Sequence, residues 1–319
     1  MQLLTSDKDL AASANAIAIT TAKKPSSVYL TKKLTAERLK KLDLFSDIDI
    51  SDNVRLSEDT DEEFRPVWPK NKQNREVIFI GAPSGCGKSY QIANLITSYK
   101  EQYPDNEIYF LSFKKHDVAF EDHYEYMTQI PLYGLTNAID PNNFEDCLFI
   151  FDDCLEMSDT IDPYEVLTEQ ELKTLKKSQV VRKLKELRSV TEELIKQSII
   201  NITTLGRSKR ISLVLTTHNL RSGNYISKQI LPEITGLFVF AKNAAKLKDF
   251  LSIYQSHLDK KAINTILKEL FNSHSDYSYL FINQINNRKS LVIGNKVVLY
   301  IDNATFELLP ERETASRKR

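Results

Sequence analysis

The segment from Ala82 to Ser89 constrains this chain most, because it has the pattern of a phosphate-binding loop. It reads Ala-Pro-Ser-Gly-Cys-Gly-Lys-Ser, with alanine where the pattern begins with glycine. An apolar run at 77–80 precedes it, and residues 90–97 have the pattern of a helix. A strand, a glycine-containing loop and a helix in this order form the context that supports such a match. The segment therefore predicts a nucleotide-binding site in an α/β domain.

The residues of this loop are suited to binding phosphate groups and Mg²⁺. Gly85 and Gly87 allow backbone N–H groups to turn toward a phosphate, and the helix start adds the positive end of its dipole. Lys88 would reach the terminal phosphates, and Ser89 would ligate Mg²⁺. The predicted nucleotide contacts are Ala82, Pro83, Ser84, Gly85, Cys86, Gly87, Lys88, Ser89 and Tyr90. An ordinary glycine-rich turn is the alternative, which the Gly-Lys-Ser triplet and both flanking elements disfavour.

The composition is that of a neutral globular chain of 319 residues, with 43 basic residues (Lys and Arg) against 43 acidic ones. Any nucleic-acid binding must therefore come from a local basic patch rather than from net charge. The three cysteines have no metal-binding or disulfide spacing, which favours a reducing, intracellular compartment. No apolar run approaches membrane-spanning length, so we expect no membrane partner.

We expect three parts along the chain. They are an N-terminal arm at 1–63, a P-loop ATPase core at 64–243, and C-terminal helices and a β-hairpin with a basic tail at 244–319. Residues 32–44 have the pattern of a short helix. The segment 43–63 carries nine acidic residues against one basic residue, which indicates solvated or disordered chain. Docking of a basic partner is the alternative role for it.

Apolar runs predict a mainly parallel sheet in the core. After the loop they lie at 107–113, 147–151, 211–216 and 236–241. Continuous apolar runs suit strands buried on both faces, and helices between them suit crossover connections. The longest helical pattern, 179–205, ends at Gly206. These patterns predict an α/β fold of the P-loop NTPase class.

The C-terminal part has a different pattern of elements. Two helices are predicted at 244–254 and 260–271. Three strands are predicted at 278–283, 290–293 and 296–300, with a two-residue hairpin turn at Gly294–Asn295.

An acidic pair, Asp152–Asp153, follows the third apolar run of the core, about 60 residues after the loop. This is the Walker B arrangement, in which Asp152 would hold Mg²⁺ through water and Asp153 would orient or deprotonate the attacking water. An acidic pair after a strand is also a common turn. The phosphate-binding loop favours the catalytic interpretation.

The fourth core strand ends in Thr216-Thr217-His218. If this strand lies beside the one that carries the loop, Thr217 or His218 would contact the γ-phosphate or the water and report hydrolysis. The sequence does not choose between these two residues. A strand-end histidine with satisfied hydrogen bonds is the alternative.

Basic residues cluster around the long helix. Arg207 follows Gly206 and would be an arginine finger offered to a neighbouring subunit, or else it stabilises the end of the helix. The segment 173–210 carries eleven basic and three acidic residues. Such a surface either follows a DNA phosphate backbone or is simply a solvated helix face.

Taken together, these motifs resemble those of the poxvirus-type genome-packaging ATPases of large DNA viruses, which belong to the FtsK/HerA group of P-loop motors. The resemblance covers residues 64–300 and rests on the loop, on Ile150-Phe-Asp-Asp153, and on the stretch from Gly206 to His218. The group commonly has glutamine at the sensor position, where this chain has Thr217-His218. The chain could therefore belong to a sister lineage of viral ATPases.

The resemblance implies a RecA-like sheet, a homo-oligomeric ring, and hydrolysis of ATP with Mg²⁺ that moves double-stranded DNA. It also implies an infected host cell (cytoplasm or viral factory) or the virion as the location, with a capsid protein as a further partner. Lys88, Ser89, Asp152 and Asp153 carry over from the family's motifs, and Arg207 carries over as the finger. The alternatives are a P-loop ATPase with another target, such as a helicase or remodelling factor, a small-molecule kinase, and a non-catalytic nucleotide switch.

Overall fold

A computed structural model describes residues 2–6, 16–21, 27–31, 48–51, 53–56, 61–68, 75–114, 116–155, 163–218, 230–243, 251–252, 260–271, 278–286 and 289–302. The strands of the N-terminal part are β1 (Gln2–Ser6), β2 (Ala16–Thr20), β3 (Ser27–Thr31), β4 (Ile48–Ser51), β5 (Asn53–Arg55) and β6 (Phe64–Pro66). The later strands are β7 (Val77–Gly81), β8 (Ile108–Ser112), β9 (Met127–Gln129), β10 (Leu148–Asp152), β11 (Ser212–Thr217), β12 (Gly236–Phe240), β13 (Tyr279–Asn286), β14 (Lys289–Gly294) and β15 (Val297–Asp302).

The α-helices are α1 (Lys88–Gln102), α2 (Pro163–Val166), α3 (Glu169–Thr174), α4 (Lys177–Leu205) and α5 (Lys260–Phe271). 3₁₀ helices lie at Val118–Tyr126, Leu132–Gly134, Pro141–Asn143, Leu231–Glu233 and Ala241–Asn243. No helix in the described part of the chain is long and apolar enough to cross a membrane.

The core is a ten-stranded sheet with the order β5-β15-β14-β13-β12-β7-β11-β10-β8-β9. The six strands from β12 to β9 are parallel, and the remaining strands pair antiparallel. All residues of β7, β10, β11 and β12 are buried, as their continuous apolar runs predict. The predicted α/β P-loop architecture is therefore confirmed, with β7 in the middle of the sheet.

Helices α1 and α4 pack on opposite faces of this sheet. Ile92 and Ile96 of α1 pack in a cluster with Ile150 and Val214, whereas Ile199 of α4 belongs to the cluster on the other face. The first half of α4, residues 177–190, has no buried residue. This half of the helix therefore gains little stability from the core and presents its side chains to solvent.

The N-terminal part contains an antiparallel sheet with the order β4-β1-β3-β2-β6. Disorder was the wrong expectation for two parts of the acidic segment 43–63, because β4 and β5 pair with β1 and β15. The alternation Ile48-Asp49-Ile50 is a strand signal that the acidic composition obscured. The helix predicted at 32–44 lies outside the described residues, and the domain boundaries at 63/64 and 243/244 stay predictions.

The C-terminal strands are present and extend the core sheet, because β13 pairs with β12. The hairpin turn differs from the prediction by one residue. Gly294 pairs with Leu280 and stays in β14, so the turn is Asn295–Lys296. Helix α5 matches its prediction, whereas most of the helix predicted at 244–254 lies outside the described residues.

Candidate nucleotide-binding site

The phosphate-binding loop lies at the carboxyl edge of the parallel strands, between the end of β7 and the start of α1. Gly85 and Gly87 have φ angles of 76° and 91°, the left-handed region that glycine adopts without strain. Ala82 and Cys86 are buried, so small side chains fit these two loop positions. The Ala82 N–H donates to the Thr217 carbonyl at 3.1 Å, which ties the loop to β11.

Lys88 lies at the first position of α1 and is buried, with 6% of its surface exposed. Its Nζ donates to the carbonyl of Ala82 at 3.0 Å and lies 3.0 Å from Nδ1 of His218. The same ammonium is 3.7 Å from Oδ1 of Asp153. The loop therefore holds a desolvated lysine at the site where phosphates would bind.

His218 connects Lys88 to Asp153, because the second ring nitrogen of His218, Nε2, lies 3.0 Å from Oδ2 of Asp153. The contacts fit one neutral tautomer, in which Nδ1 accepts from Lys88 and Nε2–H donates to Asp153. Thr217, the other sensor candidate, is buried, and its carbonyl holds the loop. Of the two candidates, the structure brings His218 into contact with both the lysine and the second carboxylate.

Asp152 is buried at the end of β10, on the α1 face of the sheet. Its Oδ1 accepts from the Thr216 hydroxyl at 2.8 Å, and its Oδ2 has no hydrogen-bond partner among the described residues. Burial, and then the neighbouring Asp153, raise the pKa of Asp152. A buried carboxylate oxygen without a partner fits a role in holding a hydrated Mg²⁺, which would compensate the buried charge.

Thr216 organises both carboxylates, a role that the sequence interpretation missed. Its hydroxyl donates to Asp152 and accepts from the Asp153 N–H, each at 2.8 Å. Asp153 itself has a φ angle of 52°, a strained conformation for a residue with a side chain. Successive residues of a strand point to opposite faces of the sheet, so only one of Thr216 and Thr217 can face the acidic pair. In β11 this residue is Thr216.

Ser89 contacts an acidic residue that was not predicted. Its hydroxyl donates to Oδ2 of Asp117 at 3.1 Å, and Lys114 Nζ lies 3.5 Å from the same oxygen. Burial alone would raise the pKa of Asp117, but hydrogen bonds from the Ala119 amide and from Ser89, together with Lys114, give a net lowering. Asp117 precedes a 3₁₀ turn and accepts from the Ala119 N–H, so its only sequence signal was an N-cap.

The structure does not bring Arg207 to the site of its own chain. Arg207 precedes β11, at the amino edge of the parallel strands, and its Nη2 lies 3.0 Å from Oε2 of Glu233. The end of α4 is capped by another residue, the buried Arg75, whose Nη1 donates to the Ile202 carbonyl at 2.6 Å. Arg75 also donates to the Thr203 carbonyl and pairs with Glu233 at 2.8 Å. Capping of α4 therefore does not require Arg207.

The role of Thr216 as a positioning residue gives a prediction. We expect Thr216→Val to lower kcat/KM for the nucleotide hydrolysis that we propose by about tenfold or more, because misplaced catalytic groups reduce the rate by at least this much. Thr216→Ser keeps the hydroxyl and should restore most of the rate, which steady-state kinetics of both variants would test. A Ser variant as slow as the Val variant would contradict this role.

No family model and no curated protein matches the sequence. Similar solved structures include the DNA-packaging ATPase from Sulfolobus Turreted Icosahedral Virus, at 10% identity and a TM-score of 0.39, over 68% of this chain and 96% of that chain. The genome packaging NTPase from Sulfolobus turreted icosahedral virus 2, in complex with sulfate, has 12% identity and a TM-score of 0.38, over 69% and 96%. The cytoplasmic domain of the type VII secretion ATPase EccC from Thermomonospora curvata has 12% identity and a TM-score of 0.41, over 76% and 28%. ATPases and an NTPase are thus among the proteins to which this chain is structurally similar.

Proposed function

We propose that this chain is an ATP- and Mg²⁺-dependent ATPase that works as a motor on double-stranded DNA, in the packaging of a viral genome. The observation that carries the ATPase part of the proposal is the chain of contacts from Lys88 through His218 to Asp153 beside the phosphate-binding loop. A lysine for phosphates, a carboxylate for water, and a side chain that touches both are the parts that hydrolysis of a nucleoside triphosphate needs.

Bound ATP with Mg²⁺ would supply the transferable phosphoryl group and the metal charge that stabilises its transfer. Backbone amides of the loop and the Lys88 ammonium would bind the phosphates. Ser89 and Asp152 would hold the metal, Ser89 by giving up its hydrogen bond to Asp117. Asp153 would accept a proton from water at a carboxylate oxygen, with its side chain oriented by His218 Nε2–H.

His218 would act as the sensor in this proposal. One of its ring nitrogens contacts Lys88, which would bind phosphate, and the other contacts Asp153, which would accept a proton from water. When Lys88 binds a phosphate instead of His218, Nδ1 loses its donor and the hydrogen bonding of the ring changes. That change is transmitted to Asp153 through Nε2. The position of His218 at the end of β11, next to β7, supports this role.

The DNA target rests on the exposed first half of α4 and on its charge. At least six of the eleven basic residues at 173–210 form ion pairs in the described part of the chain, and three of the six, Arg182, Lys183 and Arg188, lie on the first half of α4. The pairs are Lys173–Glu169, Arg182–Glu186, Lys183–Glu171, Arg188–Glu192, Arg207–Glu233 and Arg210–Asp146. Exposed pairs of this kind are weak and exchange readily for a phosphate. These acidic partners nevertheless neutralise part of the basic charge that would attract DNA. The number of ion pairs therefore favours the second candidate, a P-loop ATPase of the same fold with another target.

Stimulation by DNA distinguishes these two functions. We expect long duplex DNA to raise ATP turnover, with a steep loss at higher salt because phosphate contacts release counterions. The stimulation should be nearly independent of base sequence, since backbone contacts carry no sequence information. Substitution of Lys183, Lys185 and Arg188 by Gln should weaken the stimulation by DNA. It should also make the negative slope of log DNA affinity against log salt concentration shallower by up to about 3.

A matched control is available on another helix, because Lys260, Lys261 and Lys268 are exposed on α5. Their substitution by Gln removes the same charge and should leave DNA stimulation intact. Basal turnover should be unchanged in both triple variants. An enzyme that hydrolyses ATP briskly but ignores duplex DNA at low salt would reject the motor function and support the second candidate.

The remaining parts of the proposal concern assembly and location. A homo-oligomeric ring would let Arg207 leave Glu233 and reach the nucleotide of a neighbouring subunit, which the exposure of this arginine permits. A capsid protein as a partner, and an infected cell or virion as the location, follow only from the resemblance of the sequence motifs.

A further inference from the structure

A cavity of about 360 Å³ opens beside the phosphate-binding loop, next to Gly87. Its lining comes from three distant parts of the chain. Arg65 belongs to β6, and Tyr90 and Asn94 lie on the first two turns of α1. Tyr279 is the first residue of β13, and Asn295 lies in the turn between β14 and β15. The volume falls within the range of about 300–1,000 Å³ that is typical of small-molecule sites.

We propose that this cavity holds the base and ribose of the nucleotide whose phosphates bind the loop, so that the N-terminal and C-terminal parts both contribute to nucleotide binding. The inference rests on the proposed ATP binding. Asp152 and Asp153 lie toward β10, on one side of β7, whereas the cavity lies toward β13, on the other side. A nucleotide whose terminal phosphate faces the carboxylates must extend its nucleoside in the opposite direction, past Gly87 and Tyr90.

Tyr90 offers an aromatic surface for a base. Its side chain is 53% exposed although its neighbours on α1 pack in the core. Arg65 Nη2 donates to the Tyr90 hydroxyl at 2.8 Å, and the guanidinium carbon lies 5.9 Å from the centre of the ring. A hydrogen bond and a cation–π contact thus restrain this exposed ring, which reduces the entropy lost when a base stacks on it.

The walls of the cavity are connected to each other by hydrogen bonds. The Tyr279 hydroxyl donates to the Phe64 carbonyl at 3.0 Å, and the Phe64 N–H donates to the Asn295 carbonyl at 2.8 Å. Lys296 Nζ donates to the Glu62 carbonyl at 2.6 Å. Strand β6, which carries Arg65, is therefore held against the C-terminal hairpin, and the wall exists before any ligand binds.

The test compares two ligands that share phosphates and differ in the nucleoside: ATP and inorganic tripolyphosphate. Their affinities for the full chain would be measured by calorimetry with Mg²⁺. We expect Tyr90→Ala to weaken ATP binding by about tenfold, since base–aromatic stacking has this magnitude, and to leave tripolyphosphate binding unchanged. Tyr90→Phe keeps the ring and should retain most of the ATP affinity.

Two further variants make the outcomes distinct. Tyr126→Ala removes a tyrosine of similar exposure (47%) outside the cavity and should change neither affinity. Lys88→Ala should weaken both ligands. If Lys88→Ala does so while Tyr90→Ala weakens both ligands equally or neither, the assignment of the cavity is overturned and the phosphate site stands. If Lys88→Ala changes neither affinity, the loop is not the binding site and both proposals are overturned.

Discussion

Replacing Lys88 with alanine is expected to lower ATP hydrolysis by at least about 100-fold, the loss that follows removal of one group that stabilises transition-state charge. The lysine is buried, and its ammonium contacts the Ala82 carbonyl and His218, so it is already in place for a phosphate. Phosphate release at saturating ATP and Mg²⁺ measures the effect. The melting temperature of the variant should be recorded, because the substitution leaves the Ala82 carbonyl without this donor.

Lys100 provides the matched control for this prediction. It lies near the other end of α1, where its Nζ donates to the carbonyls of Pro104 and Asn106 at 2.6 and 3.0 Å. Lys100→Ala also removes a lysine that binds carbonyl oxygens, and we expect it to reduce stability slightly while leaving turnover near the wild-type rate. Undiminished hydrolysis in Lys88→Ala would mean that the loop is not the active site.

Replacing Asp153 with asparagine is the second change with a large expected effect. We expect ATP binding to persist and hydrolysis to fall by about 10²–10⁴-fold, the usual contribution of a general base. Asparagine suits the position because it tolerates the positive φ angle of 52° and still accepts a hydrogen bond from His218. Equilibrium binding of ATP and single-turnover hydrolysis on the same preparation separate the two effects.

Asp152→Asn is the comparison that tests the division of roles. Its buried Oδ2 would be lost as a carboxylate oxygen for the metal, so we expect weaker Mg²⁺-dependent binding of ATP. Asp153→Asn should leave that binding close to wild type. Identical binding defects in the two variants would contradict the assignment of the metal to Asp152 and of the water to Asp153.

The sequence predicted the site best where a motif requires particular residue types at fixed positions. The backbone of the loop from Ala82 to Ser89 could be predicted, because glycine adopts positive φ angles without strain and because a strand and a helix flank the loop. The pair Asp152–Asp153 was visible because it ends an apolar run. The sensor role of Thr217 or His218 required β11 to lie beside β7, and the strand order confirms that these two strands are neighbours.

The parts that were missed depend on register and on long-range pairing. The role of Thr216 was missed because it depends on which face of β11 this residue occupies, and a continuous run of buried residues does not reveal the two faces of a strand. Asp117 reaches Ser89 from a 3₁₀ turn with no motif of its own. The N-terminal strands are short, and their partners lie far along the chain, so an acidic composition outweighed the weak alternation of Ile48-Asp49-Ile50.

The most direct test of the central claim is phosphate release from ATP by the purified full chain, with Mg²⁺ and then with the metal removed by EDTA. Lys88→Ala protein purified in parallel gives the background from contaminating ATPases. The proposed site predicts turnover well above this background that requires Mg²⁺ and is lost with EDTA. Turnover equal to that of the Lys88→Ala preparation, with or without duplex DNA, would contradict the assignment of ATP hydrolysis to the site formed by the loop, Asp153 and His218.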